Sequence, residues 1–144
     1  MNLQFDHRLP APPAKVYAKV MDPEVLRRCI DGCESLTPAG ENTFETVIRL
    51  GGAKVKGRVQ LLNAVPNESM TLVIEGKAFA GSVKATVRVR ITPQDGGSAI
   101  HGDSDVTVGG LAAALGPKIL EDGARKAIAD FYSRLAAELT ASTS

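Results

Sequence analysis

Residues 110–139 read GLAAALGPKILEDGARKAIADFYSRLAAEL, and the reading of this stretch decides the fold. Leu120, Ala124, Ala127, Ile128, Phe131 and Leu135 recur at helical spacings, which puts them on one face. Lys118, Glu121, Asp122, Arg125, Lys126, Asp130 and Ser133 take the other face. Glu121 and Arg125, Asp122 and Lys126, and Asp130 and Arg134 are acid-then-base pairs one helical turn apart, the favourable order on a helix surface. One amphipathic helix over 110–139 is expected. Its apolar face has bulk in the C-terminal half (Phe131, Leu135). In the N-terminal half it is lean, with Ala113, Gly116, Gly123, Ala124 and Ala127. A helix thinned in this way either packs closely on a sheet or leaves a void beneath it.

The residues before this helix alternate. In Asn2–Leu9, the side chains of Leu3, Phe5, His7 and Leu9 share one side and Gln4, Asp6 and Arg8 the other, as in a half-buried strand. Pro10, Pro12 and Pro13 end it. Proline suits a first helical turn, so a short helix over Pro13–Val20 is expected, with Val16, Tyr17 and Val20 facing in. Asp22-Pro23 reads as an N-cap and first helical position for a second short helix over 23–30, closed by Gly32. Strands are then expected over 34–38, 43–50, 53–65, 69–79, 82–92 and 99–108. The turns between them fall at 39–42, Gly51-Gly52, 66–68, Ala80-Gly81 and Asp95-Gly96-Gly97. Leu61-Leu62 breaks the alternation, which predicts a bulge. Every long strand carries charge on one side, which suits an antiparallel sheet covered on one face. The expected class is α+β: a curved seven-stranded antiparallel sheet wrapped around a long C-terminal helix, with two short helices after the first strand. One domain over 1–139 and a frayed tail over 140–144 complete the expectation.

Composition narrows the function classes. At 144 residues with 44% hydrophobic and 23% charged residues, the chain supports one ordinary core, which excludes disorder. A net charge of +1 speaks against a dedicated nucleic-acid binder. Aromatics at 4%, with no Trp, leave little to stack bases or sugars on. No apolar run approaches the ~18 residues of a membrane span. Met1 to Arg8 is charged and lacks the apolar region of a signal peptide, so cytoplasmic residence is expected, with Cys29 and Cys33 reduced.

The covered side of the strands carries almost no titratable group. Asp103, Asp105 and His101 fall on the outer side, with Lys54, Lys56, Arg58, Lys84, Arg88 and Arg90. A solvated, mutually paired face is the favoured reading, and a partner-docking face the other. His7 is the exception on the covered side. With no carboxylate at fixed spacing to orient it, it reads as a core residue before it reads as a base. Cys29 and Cys33 lack the further ligands of a closed zinc site, so no metal is expected and structural burial is favoured. No catalytic residue and no covalently bound cofactor are assigned.

Shape is the more informative feature. Small residues stand on both facing surfaces, among larger apolar ones. The sheet supplies Val55, Gly57, Leu72, Ile74 and Gly76, then Val87, Val89, Gly102 and Ser104. The helix supplies Ala113, Gly116, Leu120, Ala124 and Ala127. These are the candidate lining of an apolar cavity. Close packing of helix on sheet is the competing explanation, and the residues alone do not choose between them. Residues 111–116 are apolar all round, and Pro117 is a point where helix geometry can reset. Leu111 and Leu115, with Phe79, are the candidate lip, able to touch a membrane or partner.

Residues 22–36, DPEVLRRCIDGCESL, closely resemble the N-terminal signature of the CoxG family, named for the G subunit of carbon monoxide dehydrogenase. So do Glu75-Gly76 and Gly81, and the segment VGGLAAALG over 108–116. The resemblance covers nearly the whole chain. It implies the helix-grip, START-like (SRPBCC) fold, whose members enclose apolar ligands between a curved sheet and the C-terminal helix. It also implies a non-enzymatic accessory role: CoxG-like proteins accompany molybdenum-containing hydroxylases such as CO dehydrogenase and help recruit them to the cytoplasmic membrane. An isoprenoid quinone or other lipid is the physically sensible ligand. Asp31 departs from the family, which commonly has proline there. Some members carry a C-terminal extension used for membrane attachment. Here the sequence ends soon after the helix, so transient contact through the lip, peripheral at the inner face of the membrane, is expected. The alternatives are a protein-docking module with a filled core, using Lys54, Arg58 and Arg88, and a START-like cyclase or hydrolase using His7.

Overall fold

Proline and aspartate place the first elements. In the computed structural model, which describes residues 1–50, 53–79 and 81–141, strand β1 (Asn2–Leu9) stops before Pro10. Helix α1 (Pro13–Val20) and helix α2 (Pro23–Cys29) each begin on proline. The Asp22 carboxylate accepts from the Glu24 backbone N–H at 3.0 Å, capping α2. Gly32 then turns the chain at φ +77, and its bare Cα lets the Arg49 carbonyl approach; any side chain there would collide with it.

Six strands follow: β2 (Cys33–Gly40), β3 (Thr43–Leu50), β4 (Ala53–Val65), β5 (Ser69–Ala78), β6 (Gly81–Gln94) and β7 (Gly97–Gly109). All seven join one antiparallel sheet in the order β1-β7-β6-β5-β4-β3-β2. Asp95 (φ 49) and Gly96 (φ 81) make the β6–β7 hairpin turn expected from the Asp-Gly pair. The irregularity expected at Leu61-Leu62 falls slightly later. The β4–β5 register shifts between Leu62 and Val65, where Asn63 takes φ 50. Strand β5 ends at Ala78, so Phe79 belongs to the turn and not to the strand. The expected turns at Gly51-Gly52 and at Ala80 lie outside the described residues.

The long helix is corrected in two ways. It is not one piece from 110. Gly110–Leu115 forms a 3-10 turn, Gly116 takes φ +91, and α3 (Pro117–Ala141) starts on proline. The physical cause is the Gly-Pro pair. Glycine accepts the left-handed backbone, and proline lacks the N–H that a continuing helix would need. At the other end Thr140 and Ala141 are helical, where a frayed tail was expected, and Thr140 Oγ1 donates to the Ala136 carbonyl at 2.9 Å. Residues 142–144 lie outside the described residues.

α3 packs on α1, α2 and β1. Leu135 and Leu139 are fully buried against Val16, Val25 and Cys29 of the short helices and Leu61, Met70, Val89, Ile91 and Ile100 of the sheet. The core therefore lies at the C-terminal end of α3. The outer face of the sheet is charged and paired. Arg88 donates to Asp103 at 2.7 Å and to Asp105 at 2.8 Å.

Candidate functional site

Burial falls away along α3 towards its start. Leu120, Ala124, Ile128 and Phe131 are only half-buried, although they form the apolar face of the helix. Opposite them Val55, Leu72, Ile74 and Val87 are half-buried as well, though their strands turn these side chains to the covered side. Apolar side chains on facing surfaces that both keep contact with solvent are the candidate lining of an apolar groove. Among the described residues α3 and the 3-10 turn leave Gly116 and Gly123 with nothing within 4 Å of an added Cβ. Ala113 and Ala127 are exposed, unlike the other candidate lining residues of the helix. Val89 is buried and belongs to the core floor.

The sheet glycines behave differently, and close packing explains them. A Cβ on Gly57 would stand 3.0 Å from the Glu75 carbonyl and 3.1 Å from the Thr46 methyl. One on Gly76 would meet Val55 and Val83 methyls at 3.2 Å. The space beside Gly102 is filled by the Phe5 ring. These three glycines make room for neighbours in the sheet, whereas Gly123 of α3 is exposed and borders open space.

Few polar groups reach the covered side. Thr46, Ser98 and Ser104 are buried. Thr46 Oγ1 donates to the Ser35 carbonyl at 2.8 Å and Ser98 Oγ to the Ala11 carbonyl at 2.7 Å. His7 stacks on Tyr132 with ring centroids 4.6 Å apart and a 22° tilt. Tyr132 also touches Phe5 (5.8 Å) and Phe131 (5.1 Å). Burial pushes its phenol well above the ordinary range. The sequence reading passed over Tyr132, because it flanks the apolar stripe and does not lie on it. Cys29 is fully buried and burial pushes its thiol up. Cys33 lies against the Ser35 carbonyl oxygen and Thr46 Oγ1 at 3.3 and 3.4 Å. Among the described residues no three His, Cys, Asp or Glu side chains gather closely enough to hold a metal.

The candidate lip residues are bare. Phe79 is 102% exposed, Leu111 72% and Leu115 55%. Ile119, in the first turn of α3, joins them at 59%, and the sequence reading did not include it. The Gly81 backbone abuts Ala112, which holds the Phe79 turn against the 3-10 segment. Lys56 and Lys77 are register partners on the adjoining strands. The proposed docking charges on the outer face are paired within the chain: Lys54 with Glu34 (3.9 Å), Arg58 with Glu45 (3.8 Å) and Arg88 with Asp103. Two shallow depressions lie away from the groove. One lies between the end of β1 and the β6–β7 turn, by Arg8 and Gln94, and the other on the outer face by Arg88, Arg90 and His101. Neither includes a residue of α3.

The profile of the CoxG family, the G subunit of carbon monoxide dehydrogenase, matches residues 6–140. The chain belongs to the CoxG family. No curated protein matches the sequence. A conserved protein from Geobacillus kaustophilus is 27% identical, with a TM-score of 0.96 over 99% of this chain and 97% of that one. An uncharacterised protein from Rhizobium leguminosarum (19% identity, TM-score 0.76, 97% and 94% covered) shares the fold. So does the protein TTHA0849 from Thermus thermophilus (16% identity, TM-score 0.75, all of both chains covered). The helix-grip, START-like architecture is thereby shown. CoxG is an accessory family of CO dehydrogenase, which sets the coarse role. The departure at Asp31 has a partner here: Arg134 of α3 donates to its carboxylate at 3.2 Å. Among the described residues no helix is long and apolar enough to cross a membrane.

Proposed function

We propose that this CoxG protein is a non-enzymatic carrier of a lipophilic ligand, an isoprenoid quinone or lipid, that links a molybdenum hydroxylase such as CO dehydrogenase to the cytoplasmic membrane. The observation that carries the reading is the half-buried apolar lining on both sides of the groove, from Leu72, Ile74 and Val87 to Leu120, Ala124 and Ile128. Apolar area left in contact with water costs about 25 cal/mol for each Å², and an apolar guest removes that cost. Exposed Phe79, Leu111, Leu115 and Ile119 at the mouth support exchange with a bilayer. The sparse, mostly bonded polar groups on the covered side support a carrier over a cyclase or hydrolase.

Organic extraction of protein purified from a quinone-producing host, followed by mass spectrometry, tests this. A stoichiometric quinone or lipid is expected. Ala124→Trp fills the groove and is expected to abolish uptake with the fold retained. Gly76 is unsuitable for that test, since Val55 and Val83 leave no room beside it. An empty extract from wild-type protein, repeated after incubation with membranes, would overturn the carrier reading in favour of the docking module.

A further inference from the structure

Ser104 stands out among the buried polar residues. It is 3% exposed, like Thr46 at 6% and Ser98 at 1%. Thr46 and Ser98 hydroxyls are hydrogen-bonded to main-chain carbonyls. The Ser104 hydroxyl has no partner among the described residues, yet its oxygen keeps some accessible surface. Buried hydroxyls are normally paired, because burial strips them of water. One that has no partner and keeps a little accessible surface can bond a guest that reaches it.

Its position fixes which space that is. In register Ser104 lies between Leu3 of β1 and Val87 of β6. Arg125 Nη1 donates to the Gln4 carbonyl at 3.1 Å, which holds the thin part of α3, around Ala124, at this same level. The next step towards the core is Gly102, covered by Phe5, and Phe5 is in turn against Tyr132. The Tyr132 phenol likewise has no hydrogen-bond partner among the described residues, and its ring packs against the core. From mouth to floor the groove therefore runs from the apolar lip, past Ala124 and Ser104, to Tyr132.

We propose that the ligand enters head first and that its polar head is held deep in the groove by the Ser104 hydroxyl, with the Tyr132 phenol at the floor as a second hydrogen-bonding group on the facing helix. The ligand class that fits is an amphiphile with a compact carbonyl- or hydroxyl-bearing head and an apolar tail directed to Phe79 and Leu111. A plain hydrocarbon does not use these groups. This inference rests on the carrier reading and adds an orientation and a head-group requirement to it.

The test uses delipidated full-length protein and two probes. One is a 1,4-naphthoquinone bearing a short prenyl tail, and the other is squalane, a tail with no head. Calorimetry is expected to show that Ser104→Ala and Tyr132→Phe each weaken the naphthoquinone about tenfold, the loss of one hydrogen bond, and leave squalane unchanged. The infrared carbonyl band of the bound naphthoquinone is expected to lie lower in wild type than in S104A. Equal affinity of wild type and both variants for the naphthoquinone, or equal losses for both probes, would overturn the head-first proposal while leaving the carrier reading intact. Wild-type protein that binds neither probe would overturn both.

Discussion

The ring of Phe5 on β1 lies across Gly102 of the paired strand β7, in the volume that a side chain at Gly102 would need. The contact joins the edge strand to the floor of the groove, because Phe5 also meets Tyr132 of α3. Gly102→Ala is thus expected to overpack this point and destabilise the fold by about 1–3 kcal/mol. A thermal melt reads this as a loss of about 2–4 °C for each kcal/mol in a chain of this size. Adding Phe5→Leu to Gly102→Ala is expected to recover part of the loss, since the two changes act on one contact. Full stability in the single variant would show that the ring simply moves aside.

A second prediction concerns acid. Hydrogen bonds from Arg88 and then Asn2 hold the Asp103 carboxylate below its ordinary pKa, and those from Asn2 and then Arg88 do the same for Asp105. Carboxylates with depressed folded pKa values stabilise the fold above their unfolded pKa, ~3.9 for Asp, and that contribution disappears as pH falls through the folded value. Arg88→Gln is expected to raise the Asp103 pKa more than that of Asp105, which keeps Asn2 as its leading partner. NMR titration of the side-chain carboxyl carbons checks this. Urea unfolding should show a small stability gap between wild type and variant at neutral pH, closing near pH 2. The network is solvent-exposed, so the gap is modest. A gap that widens in acid would reverse the sign and sink the argument.

Period and punctuation made the fold legible. Alternation in β4 to β7, the Asp95-Gly96 turn and the helical spacing of Leu120 to Leu135 each have a local cause, so they can be read without the fold. The break at Gly116-Pro117 was visible as a point of reset, but the 3-10 form of residues 110–115 before it has no such local mark, and Ala112 there lies against Gly81 of a distant strand. The site was less legible, because a small residue has two meanings. Gly57, Gly76 and Gly102 are small to admit neighbours in the sheet, while Gly123 borders open space and Ala124 lies in the thin part of the helix. Only the packing around each separates these cases. Ser104 looked like one more small residue. Its unpaired hydroxyl is a property of the surroundings that no spacing reveals.

The last prediction is for the lip. Phe79, Leu111, Leu115 and Ile119 are all exposed, and Gly81, next to the Phe79 turn, abuts Ala112 of the 3-10 turn. Lys56 and Lys77 stand beside each other in register on the neighbouring strands. Exposed apolar side chains next to lysines suit the headgroup boundary of an anionic bilayer, where each lysine contributes about 1 kcal/mol. Flotation with vesicles containing phosphatidylglycerol is expected to recover more wild-type protein than flotation with phosphatidylcholine alone, and salt should erase the difference. Phe79→Asp and Leu111→Asp should each reduce recovery on both vesicle types. Their melting temperatures should match wild type, because neither side chain is buried. Lys56→Glu with Lys77→Glu should instead remove the preference for anionic vesicles. Undiminished flotation of Phe79→Asp and Leu111→Asp would mean that the lip does not touch the bilayer, and the apolar mouth would then be a surface for the partner enzyme.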